Sequence, residues 1–167
     1  IIMNCYNSEK YLNDSIVSVI NQNYTNWELI FWDNLSTDKS SQIISKYKDK
    51  RIRYYLSKKH TSLGQARNNA IKKAKGEFIA FLDCDDIWLS EKLKHQIPLF
   101  CDPEVGIVIC NSIFFNSKNN EKLLYTNKKP KEGYVFKELL ESYNISLETA
   151  IIRKSAIEKL DHYFNRF

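Results

Sequence analysis

Hydrophobic positions along this chain fall into two alternating rhythms. Short apolar runs occur at Ile1–Met3, Trp27–Trp32, Ile52–Leu56, Phe78–Leu82 and Val105–Cys110. Between them the apolar residues are spaced out: Tyr11, Leu12, Ile16, Val19 and Ile20, then Ile43, Ile44 and Tyr47, then the stretch from Leu63 to Lys75. An apolar run bounded by polar residues reads as a strand buried on both faces, since a half-exposed strand alternates. Apolar residues three and four apart read as one stripe of a helix. Strand, helix, strand, helix, strand, helix, strand predicts an α/β fold wound right-handed around a mostly parallel central sheet. Asn7 or Ser8 is placed to cap the first helix, and Ser36 the second, which is expected over residues 37–47.

After the fourth strand the rhythm loosens. An amphipathic helix is expected over 90–100, bent or ended by Pro98, and a strand over 105–110. Ile113–Phe115 and Leu123–Tyr125 flank a polar link and read as a hairpin rather than a crossover. A helix over 133–143, a strand over 150–152 and a helix over 154–160 complete the expected order. The sequence shows no repeat and no low-complexity tract.

The fourth run stops abruptly at Asp83-Cys84-Asp85-Asp86, three acids within four positions. Crowded carboxylates repel one another unless a cation or a donor cluster offsets the repulsion. Asp-x-Asp offers two hard oxygens to one divalent ion, and Mg²⁺ or Mn²⁺ takes its remaining ligands from water and substrate phosphates. The structural alternative is helix capping, since Asp86 leads into Ile87–Glu91 and carboxylates favour helix N-termini. The position favours the metal: open α/β sheets bind ligands at the C-terminal ends of their strands.

Composition narrows the classes. The 167 residues, 43% hydrophobic and 13% aromatic, suit one globular domain. The 25 basic residues give a net charge of only +5 and form no stripe, so no nucleic-acid partner is expected. Lys58–Lys59, and Lys128–Lys129 with Lys131, read as solvated loops, with an anionic membrane surface as their other use. Cys5, Cys84, Cys101 and Cys110 lie far apart and form no Cys-x-x-Cys pair, which fits reduced thiols in the cytoplasm. No run approaches the ~18 apolar residues of a membrane span, leaving peripheral association at the inner face open. The chain opens in mid-strand at Ile1, so residues upstream are expected.

Three features fall on one expected sheet edge: Cys5-Tyr6-Asn7, Asp33-Asn34, and Asp83 with Asp85. A carboxylate or amide at the second suits a base that carries donors, such as the imide N–H of uracil. Gln65-Ala66-Arg67-Asn68, near a helix start, adds a cation and amides for phosphate or ribose. His60, His95 and His162 have no partners at metal-ligand spacing, though His60 lies in a loop on the same edge. Trp27 and Trp32 read as core, Trp88 as core or ligand-facing, and Cys84 as a small spacer.

These segments resemble the family 2 inverting glycosyltransferases, whose nucleotide-diphospho-sugar transferase (GT-A) fold is a Rossmann-like three-layer sandwich. The likeness spans nearly the whole chain. It rests on Tyr6-Asn7, on Asp33-Asn34-Leu35-Ser36-Thr37-Asp38 as a form of Asp-Asp-Gly-Ser-Thr-Asp, on Gly64-Gln65-Ala66-Arg67-Asn68, and on Gly76-Glu77-Phe78 leading to Asp83-Cys84-Asp85-Asp86. The resemblance implies that Cys5, Tyr6 and Asn7 line the nucleotide pocket and that Asp33 and Asn34 sit at the base. It further implies that Arg67 and Asn68 help hold the nucleotide, that Asp83 lies by the ribose, and that Asp85 holds Mn²⁺ or Mg²⁺ on the diphosphate, with Asp83 as a second ligand. Two departures stand out. Asn34 occupies the family's second acidic position, and Leu35 replaces a glycine, so that turn is expected to use ordinary backbone angles.

The implied activity is metal-dependent transfer of a sugar, with inversion, from a nucleotide-diphosphate donor, UDP-sugar first among them. The implied acceptor is a glycan or a lipid-linked molecule, as in bacterial polysaccharide assembly. One domain, 1–167, is expected, with 1–110 the nucleotide-binding half and 111–167 the start of an acceptor-side half. The family's general base is expected beyond Phe167; Glu148, the nearest acid, reads as solvated or structural. Two alternatives stay open: a non-catalytic nucleotide-sugar binding module, and a nucleotidyltransferase, whose Gly-rich loop Ile1–Lys10 lacks.

Overall fold

The computed structural model describes residues 1–116, 121–126, 131–135, 137, 145–159 and 164. The first elements follow the expected order: β1 (Ile2–Cys5), α1 (Leu12–Ile20), β2 (Leu29–Asp33), α2 (Ser40–Ser45), β3 (Ile52–Leu56), α3 (Leu63–Ile71) and β4 (Phe78–Ala80). β1, β2 and β3 are parallel, with Cys5 opposite Asp33 and Asp33 opposite Leu56. β4 joins the other side of β1 through a parallel bridge between Ile2 and Phe81, where the Leu82 N–H donates to the Ile2 carbonyl at 3.0 Å. The spatial order is therefore β3-β2-β1-β4. The chain winds outward to β3 and then returns past its starting strand, which opens a crevice between the ends of β1 and β4.

The later elements are β5 (Ile107–Val108), the hairpin β6 (Ile113–Asn116) with β7 (Glu121–Leu124), and β8 (Ile151–Arg153). β8 runs antiparallel between β4 and β5. The helix expected over 90–100 is shorter, α4 (Lys92–Gln96), and tightens into a 3₁₀ turn over Ile97–Cys101 that takes Pro98 near its start. α5 (Lys154–Glu158) closes the described elements. The helix expected over 133–143 falls largely on residues outside those described, as does His162.

Alternation along the strands divides the core in two, because successive side chains point to opposite faces of a sheet. Met3, Cys5, Leu29 and Phe31 pack with Leu12, Ile16 and Val19 of α1, Ile44 of α2 and Leu93 of α4. Ile2, Ile30 and Trp32 pack with Ala66, Ala70 and Ile71 of α3 and Ile157 of α5. Helices therefore cover both faces of the sheet, giving three layers. Each fully buried Leu or Ile contributes roughly 1.5–3 kcal/mol. Trp27, Trp32 and Trp88 are all buried, and Trp88 belongs to the core around α1.

Helix starts depart from the sequence expectation. Ser36 does not cap α2, which begins only at Ser40, and no side chain caps α1. The polar residues of these two turns mostly bind across to each other, while Asp38 Oδ1 also accepts the Ser40 N–H at the start of α2. Ser62 does cap α3, accepting from the Gln65 N–H. No described helix is long and apolar enough to cross a membrane.

Candidate functional site

The turns after β1 and β2 are stitched together. Asn7 N–H donates to Ser36 Oγ at 3.1 Å, and Asn7 Oδ1 accepts the Thr37 N–H at 2.7 Å. Ser8 N–H reaches Ser40 Oγ at 3.0 Å, Glu9 N–H reaches Asp38 Oδ2 at 2.9 Å, and Lys39 N–H returns to Glu9 Oε2 at 2.9 Å. Asn7 sits at φ 52°, a left-handed conformation that Asn tolerates. Leu35 overturns the expectation of ordinary angles: its φ is 68°. A leucine there costs about 1–2 kcal/mol. Neighbouring bonds impose the turn, since Asp33 Oδ1 accepts the Ser36 N–H at 2.7 Å and Asn34 is bolted to the β3–α3 loop.

Asp33 and Asn34, expected at the base, are 1% and 5% exposed. Asp33 Oδ2 accepts the Tyr54 hydroxyl at 2.9 Å. Burial first, and then this bond and the Asp33 charge, push the Tyr54 phenol up to about 12. Asn34 Nδ2 donates to the Thr61 carbonyl at 2.8 Å, and its Oδ1 accepts the Thr61 N–H and hydroxyl at 3.2 and 3.0 Å. His60 Nδ1 lies 3.0 Å from the Asn34 carbonyl, and its ring rests against Tyr6 with centroids 4.2 Å apart. Tyr6, 49% exposed, and His60 thus form an aromatic lip, while Asp33 and Asn34 brace the ground beneath it.

The acids lie across the crevice. Asp83 Oδ1 pairs with Arg67 Nη2 at 3.3 Å, and the Arg67 guanidinium also faces Phe81 and Phe164 at 6.0 and 5.5 Å. Asn68, expected at the nucleotide, spends its amide on Phe164, donating to its carbonyl at 3.0 Å and accepting from its N–H at 3.1 Å. Asp85 is exposed and makes no hydrogen bond or ion pair among the described residues. Asp86 is pushed up to about 6 by burial and then by the charges of Glu148, Asp85 and Asp83. Glu148, held by the Ser146 hydroxyl, thus adds a fourth negative charge to this rim.

Sequence reading passed over the residues that hold the acid loop. Ser15 Oγ donates to the Cys84 carbonyl at 2.8 Å, Ser18 Oγ accepts the Trp88 N–H at 3.2 Å, and Gln22 binds the Leu89 carbonyl at 2.8 Å and the Leu93 N–H at 3.1 Å. Their signal was present: Ser15, Ser18 and Gln22 follow the buried stripe of α1 and are themselves buried. Polar residues on an apolar stripe need partners. Tyr54 had no such signal, because only the parallel register carries it to Asp33.

A divalent ion fits this rim in charge, with the charges of Asp83, Asp85 and Glu148 raising Asp86 and with Asp85 unpaired among the described residues. Among the described residues no group of three or more His, Cys, Asp or Glu side chains is poised around one point. An ion held here would need ligands beyond these side chains, which Mg²⁺ commonly takes from water and phosphates.

The model of the Glycosyl transferase family 2 matches residues 1–161. The chain belongs to glycosyl transferase family 2. Among family 2 relatives it is 36% identical over 163 residues to an uncharacterized glycosyltransferase of Haemophilus influenzae, covering 96% of this chain and 64% of the relative. It is 32% identical over 164 residues to Escherichia coli WfgD, UDP-Glc:alpha-D-GlcNAc-diphosphoundecaprenol beta-1,3-glucosyltransferase, covering 98% and 63%. The crystal structure of S. aureus TarS in complex with UDP superposes with a TM-score of 0.72 at 25% identity, covering 95% of this chain and 47% of that one. The fold is the GT-A fold, and the chain spans less than two thirds of the length of these relatives.

Proposed function

We propose that this chain binds the donor in a glycosyltransferase that moves a sugar from a UDP-sugar to a glycan or lipid-linked acceptor, with inversion and with help from Mn²⁺ or Mg²⁺. The observation that carries it is the meeting of three strand ends at the β1–β4 switch point: an aromatic lip on one side and an acidic rim on the other. Family 2 relatives support the donor class and the kind of acceptor. WfgD is named for UDP-Glc and a diphosphoundecaprenol-linked sugar, and TarS, 28% identical over 169 aligned residues of sequence, is named as a poly(ribitol-phosphate) beta-N-acetylglucosaminyltransferase.

In this reading the base packs on Tyr6, over ground fixed by Asp33, Tyr54 and Asn34. Asp83, oriented by Arg67, accepts from the ribose hydroxyls. Asp85 is the protein's ligand to the metal, with Asp83 beside it. When bound, the ion supplies charge neutralisation for the departing diphosphate. The acceptor hydroxyl attacks the anomeric carbon from the face opposite the leaving group, so configuration inverts in one displacement. We assign the general base that takes the hydroxyl proton to none of the described residues. Residues 1–110 form the donor half, and 111–167 begin the acceptor side.

Titration calorimetry with UDP tests the reading. Binding that strengthens with Mn²⁺, and loses only that strengthening in Asp85→Ala, is expected. No UDP binding by the parent chain refutes the donor assignment, and an undiminished Mn²⁺ effect in Asp85→Ala refutes the metal ligand. UDP-sugar bound but never hydrolysed or transferred, even with acceptor present, favours a binding module.

A further inference from the structure

A groove of about 1100 Å³ opens beside the site just described, between the β3–α3 loop and the outer face of α3. Trp32 and Tyr55 line it as an aromatic floor, and four lysines frame it: Lys58 and Lys59 from the loop, Lys72 and Lys73 from just past the end of α3. All four are exposed, no carboxylate is among the lining residues, and no described carboxylate forms an ion pair with any of them. The volume lies just above the usual range of small-ligand pockets, as suits an open groove. Four ammonium groups of one sign around a concave surface raise the local concentration of anions.

Position adds to charge. The loop that forms one wall of the groove is the loop whose Thr61 and His60 grip Asn34, and whose His60 ring leans on Tyr6. The groove and the strand-end site are therefore two sides of one short segment. Cations arriving in two pairs from separate elements suit a chain with repeated charges better than a single anion. Cations framing a concave groove floored by aromatics suit a strand better than a flat lipid surface.

We propose that this groove binds the phosphodiester backbone of a polymeric acceptor and so holds the acceptor chain beside the donor pocket. The identity of the ligand as an acceptor rests on the transferase reading; its charge and shape rest on the groove alone. The probes are a short phosphodiester-linked glycerol oligomer, vesicles containing phosphatidylglycerol, and UDP as a separate control. Lys72→Gln with Lys73→Gln is expected to weaken oligomer binding about tenfold, the scale of losing two charge-assisted contacts, and to flatten its salt dependence. Lys72→Arg with Lys73→Arg retains binding, and UDP affinity is unchanged in both variants. Absent oligomer binding, or binding indifferent to the Gln pair, overturns the proposal. So does vesicle binding that falls with the Gln pair while the oligomer fails to bind, which assigns the lysines to a membrane. Failure of UDP to bind the parent chain strikes the transferase reading and leaves the oligomer result to judge the groove.

Discussion

Replacing Tyr54 by Phe removes one oxygen and tests how the base side of the site is built. The Tyr54 hydroxyl donates to Asp33 Oδ2 at 2.9 Å, and Asp33 is 1% exposed, so little water stands ready to replace it. A hydrogen bond to a charged group contributes about 1.5–3 kcal/mol. Because Tyr54 itself is 42% exposed, the low end applies, about 1.5 kcal/mol. For a chain of this size that lowers Tm by roughly 3–6 °C. Urea unfolding followed by tryptophan fluorescence measures the loss, and pH supplies a second readout. The folded state holds the phenol at about 12 against an ordinary value of 10.0. The proton is thus bound more tightly in the folded chain, and the contribution is full below pH 10 and lost as pH rises through about 12. The stability gap between parent and variant should therefore narrow across that window. A gap at neutral pH below about 0.5 kcal/mol, the range of an ordinary surface change, refutes the reasoning, as does a gap that stays constant into alkali.

Other consequences follow from the same geometry. Glu28 accepts the Lys75 and Gly76 N–H groups at 2.5 and 3.0 Å and the Arg53 guanidinium at 2.8 Å. Burial alone would raise its carboxyl; these donors outweigh it and hold it below the usual range, so its contribution is present above pH 4.5 and lost as pH falls through the depressed value. Glu28→Gln should cost about 1–2 kcal/mol at pH 7 and shrink that acid limb in urea titrations. Arg67→Met should leave Tm within about 2 °C, because the Asp83 end of the pair is 47% exposed and Met keeps the apolar stem against Phe81 and Phe164, yet weaken UDP about tenfold in calorimetry by freeing Asp83. Carried on from the Ile2–Phe81 bridge, the parallel register sets Cys5 opposite Cys84, whose thiol donates to the Asn4 carbonyl at 3.3 Å. With Cys101 and Cys110 changed to Ser, diamide should take two electrons and two protons from this pair and leave one intramolecular disulfide, seen as the loss of two titratable thiols. Persistence of both thiols counts against that register.

The sequence by itself determined the parallel wind and the edge where chemistry gathers. Those follow from local rules: an apolar run from Phe78 to Leu82 that stops at acids fixes a buried strand and its polar end, whatever packs around it. It determined the spacing of α1 for the same reason. Only the tertiary structure decided how the strand ends meet. Ser36 and Asn7 could satisfy their own helices or each other, and the parallel pairing of β1 with β2 brings them within reach of each other. Leu35 accepts a left-handed backbone because Asp33 holds the Ser36 N–H across the turn and Asn34 is pinned to Thr61, a constraint no single-residue preference reports. Tyr54 and the lysines that follow α3 acquired their places from register and from the side of the sheet on which a helix lands. Such contacts join residues far apart in the chain, and their partners are set by packing rather than by neighbours in sequence.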